Sequence, residues 1–276
     1  MQHLNRQKNL DETIQKSIQQ NKIPNAYIFT GIRGVVKTTT ARIVEKMLNC
    51  KVFDKNNNPD LINCEQAKAI TEDRHPDVIE IDAASNTSVE NAREIIENVK
   101  YNPVLGKYKV YIVDEVHMLS KSAFNALLKT LEEPPPHSKF IFATTEISKV
   151  PITILSRCQR FDLRRVEKKT LSDFLKSIAK KEDITISNEA LNLIVKASDG
   201  SVRDSLSILD QANVFKSQKE IQVEEIVNML GFARQGDLYE LSKCILDNNL
   251  SKLISMLDDM YQRGSETSKI IEDMMN

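Results

Sequence analysis

Short, nearly continuous apolar runs alternate with helical patterns through the first 163 residues, and few folds accommodate that alternation. The runs are AYIFT at 26 to 30, DVIEID at 77 to 82, KVYIVD at 109 to 114, KFIFATT at 139 to 145 and QRFDL at 159 to 163. Between them Thr38 to Leu48, Ser88 to Val99 and Ser120 to Glu132 carry apolar residues at helical spacing, as in Ala123, Phe124, Leu127, Leu128 and Leu131. A strand with little polar face must be covered on both sides. Such strands separated by helices therefore predict a buried parallel sheet with right-handed crossovers, an α/β domain. Ser88 and Ser120 are expected N-caps, and Pro134, Pro135 and Pro136 stop the third helix.

The strand signal ends at Leu163. Helical patterns recur at Thr170 to Lys181, Asn188 to Ser198, Val202 to Phe215 and Val223 to Leu230, with Gly200 and Gly231 where C-terminal caps belong. Residues 164–232 thus read as a small all-α domain behind an α/β domain of residues 1–163. In 233–276 two further patterns, around Leu238 to Leu246 and Leu250 to Tyr261, are too few to close a core, so this tail is expected to be part of something larger or to dock on a partner. At 276 residues, 41% hydrophobic and 28% charged, the chain exceeds one core and is globular. A net charge of -1 gives no general pull toward nucleic acid, so DNA contact would need a local face. No run of 18 apolar residues and no hydrophobic signal core are present, which predicts a cytoplasmic protein without membrane contact. Cys50, Cys64, Cys158 and Cys244 are scattered, which argues against a disulfide framework, and the polar stretch Asp54 to Asp60 reads as a loop.

The loop after the first strand reads Gly31, Ile32, Arg33, Gly34, Val35, Val36, Lys37, Thr38, Thr39. A phosphate loop of the Walker A type needs main-chain N–H groups around a phosphate, a lysine reaching the terminal phosphates and a hydroxyl for Mg²⁺. Gly31, Lys37 and Thr38 fit that pattern, but Val36 stands where a glycine is expected. A β-branched residue there costs about 1–3 kcal/mol of backbone strain, enough for about a ten- to hundredfold loss of affinity, so ATP binding is expected to be weakened or absent. The second element is YIVDE at 111 to 115, an apolar strand ending in two acids. In the Walker B arrangement Asp114 assists Mg²⁺ and Glu115 positions and activates the attacking water.

With these loops stand DEVHMLSKSAFNALLKTLEEPPPH at 114 to 137, FATT at 142 to 145 and ILSRCQRF at 154 to 161. From about residue 25 to 232 the chain resembles the gamma/tau clamp-loader ATPases of bacterial DNA polymerase III, members of the AAA+ class. The resemblance implies a P-loop AAA+ core with a parallel sheet, a small all-α lid at 164–232, and the start of a helical collar for oligomerisation at 233–276. It assigns Thr144, with Thr145 beside it, to the sensor 1 position, Arg157 to an arginine finger acting on a neighbouring subunit's ATP, and Arg203 to sensor 2. It further implies ATP and Mg²⁺, a hetero-oligomeric ring with other clamp-loader subunits, and partners comprising the sliding clamp, the polymerase core and primed DNA. Ser120, Lys121 and Lys129 are candidates for contact with DNA phosphates.

The chain departs from that family at several points. Its members usually carry a four-cysteine zinc module after the phosphate-loop helix. Here Cys50 and Cys64 remain, but Ala67 and Ile70 occupy the places where a CxxCxxC run would continue. Two thiolates cannot close a tetrahedral site, and His75 would have to be recruited across a loop, so zinc is not expected. The longer N-terminal segment that helps hold adenine and a complete collar are also missing from 1–276, which reads as truncation at both ends. Two functions stay open. One is an active clamp-loader ATPase, favoured by Lys37, Thr38, Asp114 and Glu115. The other is a non-hydrolysing structural subunit that lends Arg157 to a neighbour, favoured by Val36. A generic AAA+ remodeller is disfavoured by the SRC and EEPPP segments.

Overall fold

The computed structural model describes residues 8–35, 37–54, 58–85, 89–215, 220–231, 235–262 and 270–271. The chain divides into two compact units, Met1–Thr170 with Ser201–Arg203, and Leu171–Gly200 with Asp204–Asn276.

In the first unit the order is α1 (Lys8–Gln19), β1 (Ala26–Thr30), α2 (Lys37–Asn49), α3 (Glu65–Thr71), β2 (Val78–Asp82), α4 (Val89–Val99), β3 (Lys109–Asp114), α5 (Lys121–Glu132), β4 (Ser138–Thr144), α6 (Ile152–Leu155) and β5 (Gln159–Asp162). The five strands form one parallel sheet in the order β2-β3-β4-β1-β5. Because side chains alternate along a strand, the three central strands β1, β3 and β4 each feed two cores. Ala26, Ile28, Tyr111, Val113, Phe140 and Phe142 face a cluster with Ile95, Val99, Phe124, Leu127 and Ile154. Their neighbours Tyr27, Phe29, Val110, Ile112 and Ile141 face Ile14, Ala41, Val44 and Leu48. Helices on both faces explain why β1, β3 and β4 read as nearly unbroken apolar runs, whereas the edge strands β2 and β5 alternate.

Helix boundaries follow local chemistry. The Ser120 hydroxyl accepts the Ala123 N–H at 3.2 Å and caps α5, which ends at Glu132 before the three prolines. The expected Ser88 cap lies outside the described residues. In the polar stretch after α2, Phe53 and Pro59 pair in an antiparallel bridge, and residues 55–57 lie outside the described set.

The second unit begins within α7 (Lys168–Lys181) and continues through β6 (Thr185–Ile186), α8 (Asn188–Ala197), α9 (Val202–Phe215), β7 (Glu220–Ile221), α10 (Val223–Leu230), α11 (Gln235–Leu246) and α12 (Leu250–Gln262). Two expectations need correction here. Strands do occur beyond Leu163: β6 and β7 pair in parallel over two residues each, too short for any periodicity to announce them. The tail does enclose apolar residues, because Leu241, Met260 and Ile270 are buried together with Leu238, Leu253, Met256 and Leu257 around them. Ile270, which lies beyond the two helical patterns, supplies the third wall. Gly231 caps α10 at φ 64°, whereas α8 is capped by Ser198, with Gly200 at φ 80° two residues later.

Candidate functional site

The C-terminal ends of β1, β3 and β4 lie side by side, with Thr30 opposite Thr144 and Asp82 opposite Asp114. β1 and β4 are neighbours, yet the chain leaves β1 toward β2 and leaves β4 toward β5, on opposite sides. A crevice of that kind is where open α/β sheets bind ligands. The loop after β1 begins there at Gly31. The Gly31 N–H donates to the Thr144 carbonyl at 3.3 Å, which ties the loop to β4. A side chain at Gly31 would bring its Cβ to 2.6 Å from the Leu163 carbonyl oxygen and 2.8 Å from Val35 Cγ2, so glycine alone fits. Gly34 adopts φ 82°, the left-handed region that favours glycine. Val36, on which the strain expectation rests, lies outside the described residues.

Lys37 opens α2 and is buried, its Nζ donating to the carbonyls of Gly31 at 3.1 Å and Ile32 at 3.2 Å. Burial draws its ammonium below the ordinary lysine range, while the charges of Glu115 and Asp114 oppose that shift. The Thr38 hydroxyl donates to Asp114 Oδ2 at 2.7 Å, and Thr39 is half-buried beside it. Asp114 is the last residue of β3, and its carbonyl accepts the Ala83 N–H at 2.9 Å.

Glu115 turns the chain sharply at φ 45°, ψ 46°. A left-handed non-glycine residue costs about 1–3 kcal/mol. The surroundings offset that cost: Glu115 N–H donates to Asp114 Oδ1 at 2.9 Å, and Glu115 Oε2 accepts the Thr145 N–H at 3.0 Å and its hydroxyl at 2.9 Å. The other oxygen, Oε1, lies 4.0 Å from Lys37 Nζ. Sequence and geometry thus bring Gly31, Lys37, Thr38, Asp114, Glu115 and Thr144 to one crevice. Two further residues join them that sequence reasoning gave no role: His117, whose Nδ1 is 3.0 Å from Thr144 Oγ1, and Glu146, whose N–H donates to the same hydroxyl at 3.0 Å. His117 stood in the quoted DEVHML segment, but only folding brings it against the end of β4.

Arg157 is elsewhere on the first unit, exposed after α6, where its guanidinium pairs with Glu132 and donates to the Thr153 carbonyl. Arg203 is exposed in the first turn of α9. Lys121 and Lys129 are exposed on α5, while the Ser120 hydroxyl is occupied in capping.

In the segment between α2 and β2, Cys50, Cys64 and Ala67 are buried together against Leu61, and Ile70 is buried as well. Burial and the adjacent Cys64 raise the Cys50 thiol to about 11, whereas at Cys64 burial is outweighed by hydrogen bonds, chiefly from the Ala67 N–H, and its pKa is lowered. His75 Nδ1 accepts the Asp77 N–H at 3.2 Å. Among the described residues no group of three or more His, Cys, Asp and Glu side chains is placed to hold a metal, and no helix is long and apolar enough to cross a membrane.

A family model described as DNA polymerase III, delta subunit matches residues 6–167, and one described as DNA polymerase III clamp loader subunit, ATPase lid domain matches residues 170–217. The chain is 44% identical over 271 residues to DNA polymerase III subunit tau of Bacillus subtilis, covering 98% of this chain and 47% of that protein. It is 39% identical to DNA polymerase III subunit tau of Escherichia coli, covering 92% of this chain and 39% of the relative. It is also 40% identical to DNA polymerase III subunit gamma of Buchnera aphidicola from Schizaphis graminum, covering 98% and 73%. The chain therefore spans about half or less of the length of the tau relatives. Among solved structures, the Thermotoga maritima RuvB Holliday junction branch migration motor superposes with a TM-score of 0.61 at 17% identity, covering 92% of this chain and 81% of that one, a likeness of fold. The sheet, the lid match and this neighbour make the architecture an α/β P-loop AAA+ core followed by helices, and the chain belongs to the DNA polymerase III gamma/tau family of clamp-loader subunits.

Proposed function

We propose that this chain is the ATPase portion of a clamp-loader subunit, coupling ATP binding and hydrolysis to loading of a sliding clamp on primed DNA. Its organisation on this reading is a nucleotide-binding domain at 1–163, a lid at 164–232 and the start of a collar at 233–276. The observation that carries the reading is the 2.7 Å hydrogen bond from Thr38 to Asp114 beside the 4.0 Å approach of Lys37 to Glu115. Two pairs of neighbouring residues, far apart in sequence, converge there in the arrangement that triphosphate hydrolysis needs.

The donor set fits Mg²⁺, since a hydroxyl and a carboxylate in contact are hard oxygen ligands. The ion, when bound, neutralises charge on the terminal phosphates. Lys37 and the loop amides orient the triphosphate, and Gly31 keeps the loop close to β4. Glu115 takes a proton from the attacking water as the water oxygen bonds to the γ-phosphorus and the bond to the β–γ bridging oxygen breaks, with ADP leaving. Thr144, with Thr145 beside it, stands at the sensor 1 position at the end of β4. Arg157 reaches a neighbour's nucleotide in a ring with other loader subunits, and Arg203 reads this chain's own. Lys121 and Lys129 are candidates for DNA phosphates.

The alternative, a non-hydrolysing structural subunit that lends Arg157 to a neighbour, is favoured by one residue, Val36 in the glycine place. Titration of the purified chain with a fluorescent ATP analogue, beside Val36→Gly and Lys37→Ala, separates the two. Binding by wild type that tightens about ten- to hundredfold in Val36→Gly and is lost in Lys37→Ala supports the ATPase reading with a handicapped loop. Absence of binding in wild type and Val36→Gly alike rejects it.

A further inference from the structure

His117 sits between the ends of β3 and β4 with its side chain 6% exposed. Nδ1 lies 3.0 Å from Thr144 Oγ1 and 3.3 Å from Glu115 Oε2, and Nε2 lies 3.4 Å from Glu146 Oε1. Glu146 is itself paired with Lys149 at 2.9 Å. A single buried ring therefore touches both the hydroxyl assigned to sensing phosphate and the carboxylate assigned to activating water.

The direction of the ring's hydrogen bond matters because a threonine hydroxyl has one proton and two lone pairs. One lone pair of Thr144 Oγ1 accepts the Glu146 N–H. The other lone pair is open to a second donor, and because Thr144 is fully buried its hydroxyl serves to hold the ring rather than to meet solvent. Glu115 Oε2, an acceptor when ionised, lies on the same side of the ring, and it is met favourably only by a protonated Nδ1. We infer that His117 is a positioning residue for hydrolysis, its Nδ1–H held against Thr144 Oγ1 and steadying Glu115 Oε2. The inference rests on the role proposed above for Glu115. Glu115 keeps Oε1 toward Lys37, so the ring restrains one oxygen while leaving the other for water.

The test compares wild type, Glu115→Gln, His117→Leu and His117→Asn, each as the full chain in a ring assembled with its partner subunits. Kd for ATP and kcat for phosphate release are measured separately. Leucine fills the space without a donor, and asparagine returns an N–H near the Nδ1 place. Glu115→Gln is expected to lower kcat about a hundredfold or more. His117→Leu is expected to lower kcat about ten- to hundredfold with Kd within about twofold, and His117→Asn to recover most of that loss. If Glu115→Gln falls but His117→Leu turns over like wild type, the positioning role is wrong and the ATPase reading stands. If His117→Leu loses binding and turnover together and asparagine rescues neither, the ring is only structural and the inference is again overturned. A wild-type ring whose turnover Glu115→Gln does not reduce, or that has none, removes the ATPase reading and this inference with it.

Discussion

Replacing Glu45 with glutamine removes a charge that the fold handles poorly, and the size of the effect follows from its surroundings. Glu45 lies on α2, fully buried, and neither carboxylate oxygen has a hydrogen-bond partner among the described residues. Burial, reinforced by the charges of Glu80 and Asp73 and only partly relieved by Lys46 and Arg42, raises its pKa from 4.5 to about 8. The folded state thus holds a proton that the unfolded state releases between those values. Its stabilising contribution is complete below about pH 4.5 and is lost as pH rises through about 8. At about 1.4 kcal/mol per unit, the loss across that window is on the order of 4–5 kcal/mol, a large part of a typical domain's stability. Glu45→Gln keeps the shape and does not titrate. Urea denaturation of the two proteins from pH 5 to pH 8.5 should give wild-type stability falling steeply relative to the variant, with the variant ahead at the alkaline end by about 3 kcal/mol or more. His75 and every other group titrate in both proteins, so the difference isolates Glu45. Parallel curves across the window would refute the reasoning, since they would mean that the carboxylate is solvated or paired after all.

Asp77 has the opposite sign: burial alone would raise its pKa, but N–H donors from Val104 at 2.6 Å, Leu105 at 2.7 Å and Gly106 at 2.7 Å outweigh it and hold the carboxyl below 3.8. Asp77→Ala should cost about 2–4 kcal/mol in thermal or urea unfolding, and the wild-type contribution should be present above pH 3.8 and lost below it; a cost under about 0.5 kcal/mol would mean that water replaces the carboxylate. Arg157→Ala in a mixed ring should suppress ATP turnover about a thousandfold or more at the neighbouring site while leaving this chain's own nucleotide affinity unchanged, and loss of its own binding would contradict action in trans. Metal analysis of the purified chain should find well under one zinc equivalent, and a stoichiometric ion would overturn the reading of Ala67 and Ile70 as packing residues.

The sheet was legible because its information is local. Each strand is a short apolar run closed by polar residues, and each predicted run overlaps an observed strand with its ends within a residue or two, as at Val78–Asp82 and Gln159–Asp162. What local pattern could not carry depends on tertiary pairing. The two-residue strands β6 and β7 exist only because each meets the other. Helix α3 is seven residues long, below the length at which periodicity speaks, and Ala67 and Ile70 mark its buried side. At the crevice the motif residues could be named in advance because chemistry fixes their types. His117 and Glu146 could not, since their partners Thr144 and Glu115 come from other places in the chain and the contacts arise only when β3 and β4 lie side by side.

The region between α2 and β2 is held in place by side-chain packing and polar contacts among its described residues. A structural zinc ion is worth about 10–16 kcal/mol to a small module. Here Cys50, Cys64 and Ala67 pack against Leu61, and Ile70 is buried nearby. Small side chains of this kind contribute only about 1–3 kcal/mol each. The remainder of the work is divided among polar contacts: Cys50 Sγ donates to the Val52 carbonyl at 3.0 Å, and the Asp60 carboxylate accepts from Ile62 N–H at 3.1 Å, Asn63 N–H at 3.2 Å and Asn63 Nδ2 at 2.7 Å. Several of these are exposed, and exposed hydrogen bonds contribute about 1 kcal/mol or less. The segment is thus held by many small terms rather than one large one. Lys37 and Thr38 stand at the N-terminal end of α2 and Asn49 at the other, where its side-chain oxygen accepts the Tyr108 N–H at 2.8 Å just before β3. That bond, together with the packing of α2 on the sheet, anchors the phosphate-loop helix directly to the central strands. Thr38 is thus held against Asp114 by a helix fixed at both ends, one at the crevice and the other beside β3.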